Sequence, residues 1–234
     1  MSAEFDRYAG DYENLLRDPL RDRFAASAEF FHFRKWLVIE DFLRRRSTGS
    51  KELCWLDAGC GKGELLHLGK AHFRKAMGCD PSAEMLRESG GLDVTYQPEP
   101  TRLPFEDQSF DLITAVCVYH HLGPAERVAL TNEARRVLRP GGYFAIFEHN
   151  PANPATRLVV SRAAVDCNAV LLRARESRGL MRAAGLAPIE TIYYLYLPQR
   201  LFKFAGKLER FLTRVPLGGQ YAVFGEKCRP LCGV

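Results

Sequence analysis

The sequence contains no apolar run of the ~18 residues that suggest a membrane-spanning helix. Its opening Met-Ser-Ala-Glu-Phe-Asp lacks the apolar centre of a secretion signal. We therefore expect a cytoplasmic protein with no membrane span. The seven cysteines are odd in number, scattered (54, 60, 79, 117, 167, 228 and 232) and form no CxxC pair. A disulfide framework is not expected, and Cys228 and Cys232 alone do not make a metal site. Neither sign of charge dominates: 33 Lys and Arg against 28 Asp and Glu leave a net +5. That imbalance is too mild to name nucleic acid as a partner. No internal repeat or low-complexity segment is present.

What is present suits a folded chain. Hydrophobic residues make up 47% and charged residues 26% of 234, which argues against disorder. At ~150 residues per domain the length predicts one large domain with an appendage. Residues 1–48 read as helical and rich in aromatics (Phe5, Tyr8, Tyr12, Phe24, Phe30, Phe31, Trp36, Phe42), punctuated by Gly10 and Pro19. From residue 49 onward short apolar runs alternate with helical patterns, the mark of βαβ units and a parallel sheet. The runs are Glu52–Leu56, Ala76–Cys79, Asp93–Tyr96, Leu112–Val118 and Tyr143–Glu148. Helices are predicted at 63–75, 82–89, 124–138 (stopped by Pro140-Gly141-Gly142) and 168–184, with final strands at 188–197 and 219–226.

Residues 198–215 form an amphipathic helix: Leu201, Phe204, Leu208, Phe211, Leu212 and Val215 make one stripe. Arg200, Lys203, Lys207, Arg210 and Arg214 make another. The simplest expectation is an apolar stripe packed on the core with the charged face in water. A lid, or contact with an anionic surface, is the alternative.

The chemistry concentrates at Leu56-Asp57-Ala58-Gly59-Cys60-Gly61-Lys62-Gly63. It follows an apolar run and opens a helical pattern, so the turn falls at the carboxyl end of a strand, where open parallel sheets bind ligands. The spacing is G-x-G-x-G, not the dinucleotide G-x-G-x-x-G, and an acid stands two residues before the first glycine. That acid repels a pyrophosphate and suits an ammonium or sulfonium. Asp80 ends the second run, where an acid accepts hydrogen bonds from ribose hydroxyls; a helix cap is the plainer use of the same residue.

Four stretches in order resemble class I S-adenosylmethionine-dependent methyltransferases. They are the glycine turn; Gly78-Cys79-Asp80-Pro81-Ser82; Leu103-Pro104-Phe105-Glu106-Asp107-Gln108-Ser109-Phe110-Asp111-Leu112-Ile113; and Arg136-Val137-Leu138-Arg139-Pro140-Gly141-Gly142. The likeness covers most of the chain beyond residue 50. It is nearest the small-molecule branch related to ubiquinone and menaquinone methyltransferases, which the opening Phe5-Asp6-Arg7-Tyr8-Ala9-Gly10-Asp11-Tyr12 also resembles. It implies an α/β, Rossmann-like, seven-stranded and mostly parallel sheet with helices on both faces. An N-terminal helical cover (1–48) and a cofactor-binding domain (49–234) follow, with lid-like insertions at 150–167 and 198–216.

The resemblance implies S-adenosyl-L-methionine as cofactor and assigns residues to it. Asp57, Ala58, Gly59, Gly61 and Gly63 line its methionine end. Asp80 and Pro81 hold the ribose. Glu99, in place of the more usual Asp, or its neighbour Thr101 meets the adenine. Ala115 and Val116 pass beneath, and Tyr8, Tyr12 and Arg34 close over it. Tyr119-His120-His121 follows the fourth strand and Glu148-His149-Asn150-Pro151 the fifth. His120, His121, Glu148 and His149 are the candidate bases for an acceptor proton; local packing or turn-forming hydrogen bonds are the structural alternative. No metal site is expected, because neighbouring residues on a continuing strand face opposite ways. The expected activity is methyl transfer to a small molecule with an apolar or aromatic part, by a monomer or homodimer. A non-catalytic binding protein is the alternative. Nucleic acid is disfavoured by the mild charge and by the lack of an Asn/Asp-Pro-Pro-Tyr/Phe motif after the fourth strand.

Overall fold

The computed structural model describes residues 4–46 and 49–229, so Cys232 lies outside the described residues. Seven strands form one sheet: β1 (Cys54–Ala58), β2 (Lys75–Asp80), β3 (Val94–Tyr96), β4 (Phe110–Val116), β5 (Leu138–His149), β6 (Ala187–Tyr194) and β7 (Gln220–Glu226). Their order is β3-β2-β1-β4-β5-β7-β6. All neighbours are parallel except β7, which runs antiparallel to both β5 and β6. The chain moves outward from β1 to β3 and then returns to β4, so the switch point lies between β1 and β4. At that point the crevice outside the carboxyl ends of the strands is open for a ligand. β1 is buried along its whole length, as expected of a strand covered on both faces.

Nine helices accompany the sheet among the described residues: α1 (Tyr12–Leu15), α2 (Pro19–Phe24), α3 (Ala28–Arg45), α4 (Glu64–Gly69), α5 (Ala83–Arg87), α6 (Pro124–Val137), α7 (Pro154–Val160), α8 (Ala174–Ala183) and α9 (Gln199–Glu209). One face of the sheet packs on α6 and α8 through Leu130, Ala134, Val137 and Met181. The other packs on α3 and α4 through Phe30, Trp36, Ile39, Phe42, Leu65 and Leu66. Phe42 stacks on Phe224 of β7 with ring centroids 3.9 Å apart. α3 is thus a layer of the core, while the turns and short helices before it reach the carboxyl edge of the sheet.

Three elements differ from the sequence expectation. α6 stops at Val137 and Pro140-Gly141-Gly142 lies inside β5, where Gly141 takes φ +81° and donates its N–H to Lys227 O. The helix expected over 168–184 begins only at Ala174, because the chain first passes His120, whose carbonyl accepts from Val170 N. α9 is turned the other way: Leu201, Phe204, Leu208 and Phe211 are exposed, Phe204 by 90%. The face that packs inward carries Phe202 and the buried Glu209. Glu209 accepts hydrogen bonds from the Arg34 guanidinium and from the backbone of Tyr196 and Leu197, so it is well compensated.

Candidate active site

One cavity of about 520 Å3 opens along the carboxyl edge of the sheet. Its floor is built from strand ends: Asp57 and Ala58 of β1, Asp80 of β2, Val116 of β4 and His149 of β5, with Gln220 opening β7. The glycine turn shapes one end. Gly59 and Gly61 take φ +73° and +56°, the left-handed region that favours glycine. A Cβ on Gly59 would stand 2.5 Å from Val118 Cγ2, whereas at Gly61 nothing is nearer than 3.9 Å. The loop backbone at Gly61 therefore faces open space.

Two carboxylates define this end. Asp80 Oδ2 accepts from Gly61 N (2.8 Å) and Oδ1 from Ser82 N (2.7 Å). Each oxygen keeps a further lone pair for a ligand hydroxyl. Burial raises its pKa against those two N–H groups. Asp57 is buried beside Thr114, whose hydroxyl donates to it at 2.5 Å and in turn accepts from Trp55 Nε1. Burial pushes Asp57 up to about 7, against the Thr114 hydrogen bond. Lys35 of α3, also buried, lines the cavity and acts electrostatically on Asp57, His32 and His149. No ion pair joins its ammonium to a described residue within 4.0 Å.

The other end is a cluster of imidazoles and carboxylates. After β4 the chain enters a 3₁₀ turn over Tyr119–His121. Glu148, fully buried at the end of β5, accepts from Tyr119 N (2.8 Å) and His120 N (3.3 Å) and contacts His120 Nδ1 at 2.6 Å. Asp166, from a 3₁₀ turn over Ala164–Asp166, reaches His120 Nε2 at 3.4 Å and His121 Nε2 at 3.6 Å. Burial alone would lower the pKa of His120, but Glu148 and Asp166 raise it well above the ordinary value. Glu148 and Asp166 are held low by His120 despite burial. His121 and His149 are pushed down to about 4 by burial and by the charge of His120.

The predicted residues separate into those that reach the cavity and those that do not. Asp57, Ala58, Gly59, Gly61, Asp80, Pro81, Val116, Tyr12, His120, His121 and His149 line it. Gly63 does not: it caps α4 at φ +81°, and a Cβ there would meet Leu92 at 2.2 Å. Ala115 faces the opposite way, into the core, because strand neighbours alternate. Glu99 is exposed and Thr101 half-buried outside the lining; Gln97 and Pro100 stand there instead. Tyr8 lies against the Arg7 guanidinium, while Phe5 takes the inward position. Arg34 points away, paired with Glu209 and lying over the Phe202 ring, one position round the helix from Lys35. Glu148 lies behind the lining and holds His120. The two adjacent histidines do both face the cavity, because a 3₁₀ turn rather than a continuing strand carries them. Lys35, His32, Gln97 and Asp166 went unmarked in the sequence. A single charge within an apolar stretch, such as Asp166 in Ala163-Ala164-Val165-Asp166, was the one signal available.

The parallel five-strand run closed by an antiparallel hairpin, with an acid-flanked glycine turn at its switch point, defines the class I S-adenosylmethionine-dependent methyltransferase fold. Residues 56–146 match the family model described as "Methyltransferase domain". Over residues 56–146 the chain is therefore similar to this domain family, and S-adenosylmethionine is the cofactor that the likeness implies. A solved protein from Thermotoga maritima described as a "SAM-dependent methyltransferase, possible histamine N-methyltransferase" aligns with TM-score 0.67 at 19% identity, over 95% of this chain and 98% of its own. Among curated proteins, "Probable tRNA methyltransferase 9B" of Bos taurus is 32% identical over 138 residues, 57% of this chain and 29% of the relative. The "tRNA (carboxymethyluridine(34)-5-O)-methyltransferase" of Saccharomyces cerevisiae is 27% identical over 119 residues, 49% of this chain and 41% of the relative. The chain thus spans well under half of either relative. These names correct the expectation of a small-molecule acceptor with no nucleic acid. Net charge is a sum over the whole surface, and it does not report what enters one cavity. Among the described residues no helix is long and apolar enough to cross a membrane.

Proposed function

We propose that the protein transfers a methyl group from S-adenosylmethionine to a nucleotide of tRNA. The observation that carries this reading is the continuity of one cavity from the glycine turn to the histidine cluster. S-adenosylmethionine supplies an electrophilic methyl group on a sulfonium. The residues present fit it: Asp57 offers a carboxylate for its ammonium, Lys35 an ammonium for its carboxylate, and Asp80 two acceptors for its ribose hydroxyls. The cradle left by the absence of a Cβ at Gly61 gives the ligand close approach to the backbone. Gln97, Pro81 and Pro100 line the part that suits the adenine.

Beyond the cradle the chain positions the acceptor and excludes water. Phe5, Tyr12, Phe24 and Phe31 give the cavity aromatic surfaces, which suit a base taken out of its stack. His121 and His149 present ring nitrogens at the same end and orient the acceptor atom. The tRNA reading is supported by the names of the curated relatives and by these aromatic walls. Incubation of the purified protein with methyl-labelled S-adenosylmethionine and total tRNA tests it. The expected result is acid-precipitable label that ribonuclease releases. Absence of label, or label that resists ribonuclease, overturns the acceptor.

A further inference from the structure

We infer that His120, His121 and Asp166 form a site for one first-row divalent transition-metal ion at the acceptor end of the cavity. The inference rests on these side chains and does not depend on tRNA being the acceptor.

Two imidazoles and a carboxylate are the ligand set of open, catalytic metal sites. One donor atom from each of His120, His121 and Asp166 lies within 4.8 Å of the other two. Asp166 Oδ1 stands 3.4 Å and 3.6 Å from the two imidazole nitrogens. Those separations are long for charge-assisted hydrogen bonds. They match the ~3.4 Å edge of a tetrahedron whose centre is about 2.0–2.1 Å from each nitrogen or oxygen. Local structure brings the donors together: the 3₁₀ turn at Tyr119–His121 places the two adjacent rings with centroids 4.0 Å apart. A strand would have sent them to opposite faces.

The surroundings are those of a metal ligand. His120 Nδ1 contacts Glu148 Oε2 at 2.6 Å, and Glu148 is itself fixed by two backbone N–H groups. A carboxylate holding the far nitrogen sets the ring orientation and leaves Nε2 for the ion. His120, His121 and Asp166 all line the cavity, so the remaining coordination position faces the acceptor space. Two buried carboxylates in one cluster also favour a divalent charge among them. In this position the ion would hold an acceptor oxygen or its conjugate base in place. Imidazole donors favour zinc, copper, iron or nickel over magnesium.

The full chain, stripped with a chelator, is titrated with zinc by calorimetry and with cobalt(II) by visible absorption. The inference predicts one zinc per chain and no heat with magnesium. His121→Ala and Asp166→Asn should each weaken zinc at least tenfold, and Glu148→Gln by roughly 10–100-fold through loss of ring orientation. His121 is partly exposed, so His121→Ala in the metal-free state should keep the thermal midpoint of the parent chain. Cobalt should give ligand-field bands without thiolate charge-transfer bands. Absence of zinc binding, equal affinity in the parent chain and His121→Ala, or strong thiolate bands implicating cysteine instead would each overturn the site.

Discussion

Asp57 illustrates how much one side chain contributes. Its carboxyl is pushed up to about 7 by burial, with the Thr114 hydrogen bond opposing, Glu64 and Asp80 adding to the rise and Lys35 reducing it. The folded protein therefore keeps a proton that the unfolded chain loses near pH ~4. Stability from this group is fully present below ~4 and is lost as pH rises through 7. A ligand ammonium requires the ionised form, so affinity runs the other way. Binding of S-adenosylhomocysteine should strengthen from pH 6 to 8, by up to roughly tenfold per unit below 7. Asp57→Asn should flatten that profile in calorimetry; a flat profile in the parent chain would count against the role. Gly59 is equally specific. Its φ of +73° and the 2.5 Å approach of Val118 to a would-be Cβ predict that Gly59→Ala costs about 1–3 kcal/mol in urea unfolding. The glycines and their flanking acid were legible because a turn chemistry repeats along the chain. Lys35 was not: it is one cation in a helix full of charges, and which helical face looks into the cavity is decided by packing. Arg34, its neighbour, shows how small that difference is.

α9 shows the same limit for an element. Its helical period and its two stripes were readable, but a stripe does not say which way it faces. The deciding residue is Glu209, 4% exposed and shared between Arg34 of α3 and the backbone before α9. Once that carboxylate is anchored inside, Phe204 and Leu208 must face out. Removing one member of a buried pair strands the other charge. Glu209→Ala should therefore lower the unfolding free energy by about 3–5 kcal/mol. Phe204→Ser, at a 90% exposed position, should stay within roughly 0.5 kcal/mol of the parent chain. Denaturant titrations of the two variants check both. A large loss in Phe204→Ser with none in Glu209→Ala would mean that α9 packs by its apolar stripe.

In the molecule as a whole, the alternation of apolar runs with helical patterns was enough to place all seven strands and their parallel core. The sheet's carboxyl edge then fixed where chemistry sits. What the sequence could not supply was convergence from distant segments. His120 and His121, Glu148 and Asp166 come from three places along the chain, and only the closed fold puts them at one end of a cavity whose other end holds Asp57 and Asp80. This cavity is proposed as the binding site of S-adenosylmethionine. Calorimetric titration of the full chain with S-adenosylhomocysteine tests it most directly. One ligand per chain is expected, weakened about tenfold or more by Lys35→Met through loss of a charged partner, while Arg34→Lys, outside the cavity, leaves the affinity unchanged. No binding, or the same affinity in Lys35→Met as in the parent chain and a loss in Arg34→Lys, would contradict the account.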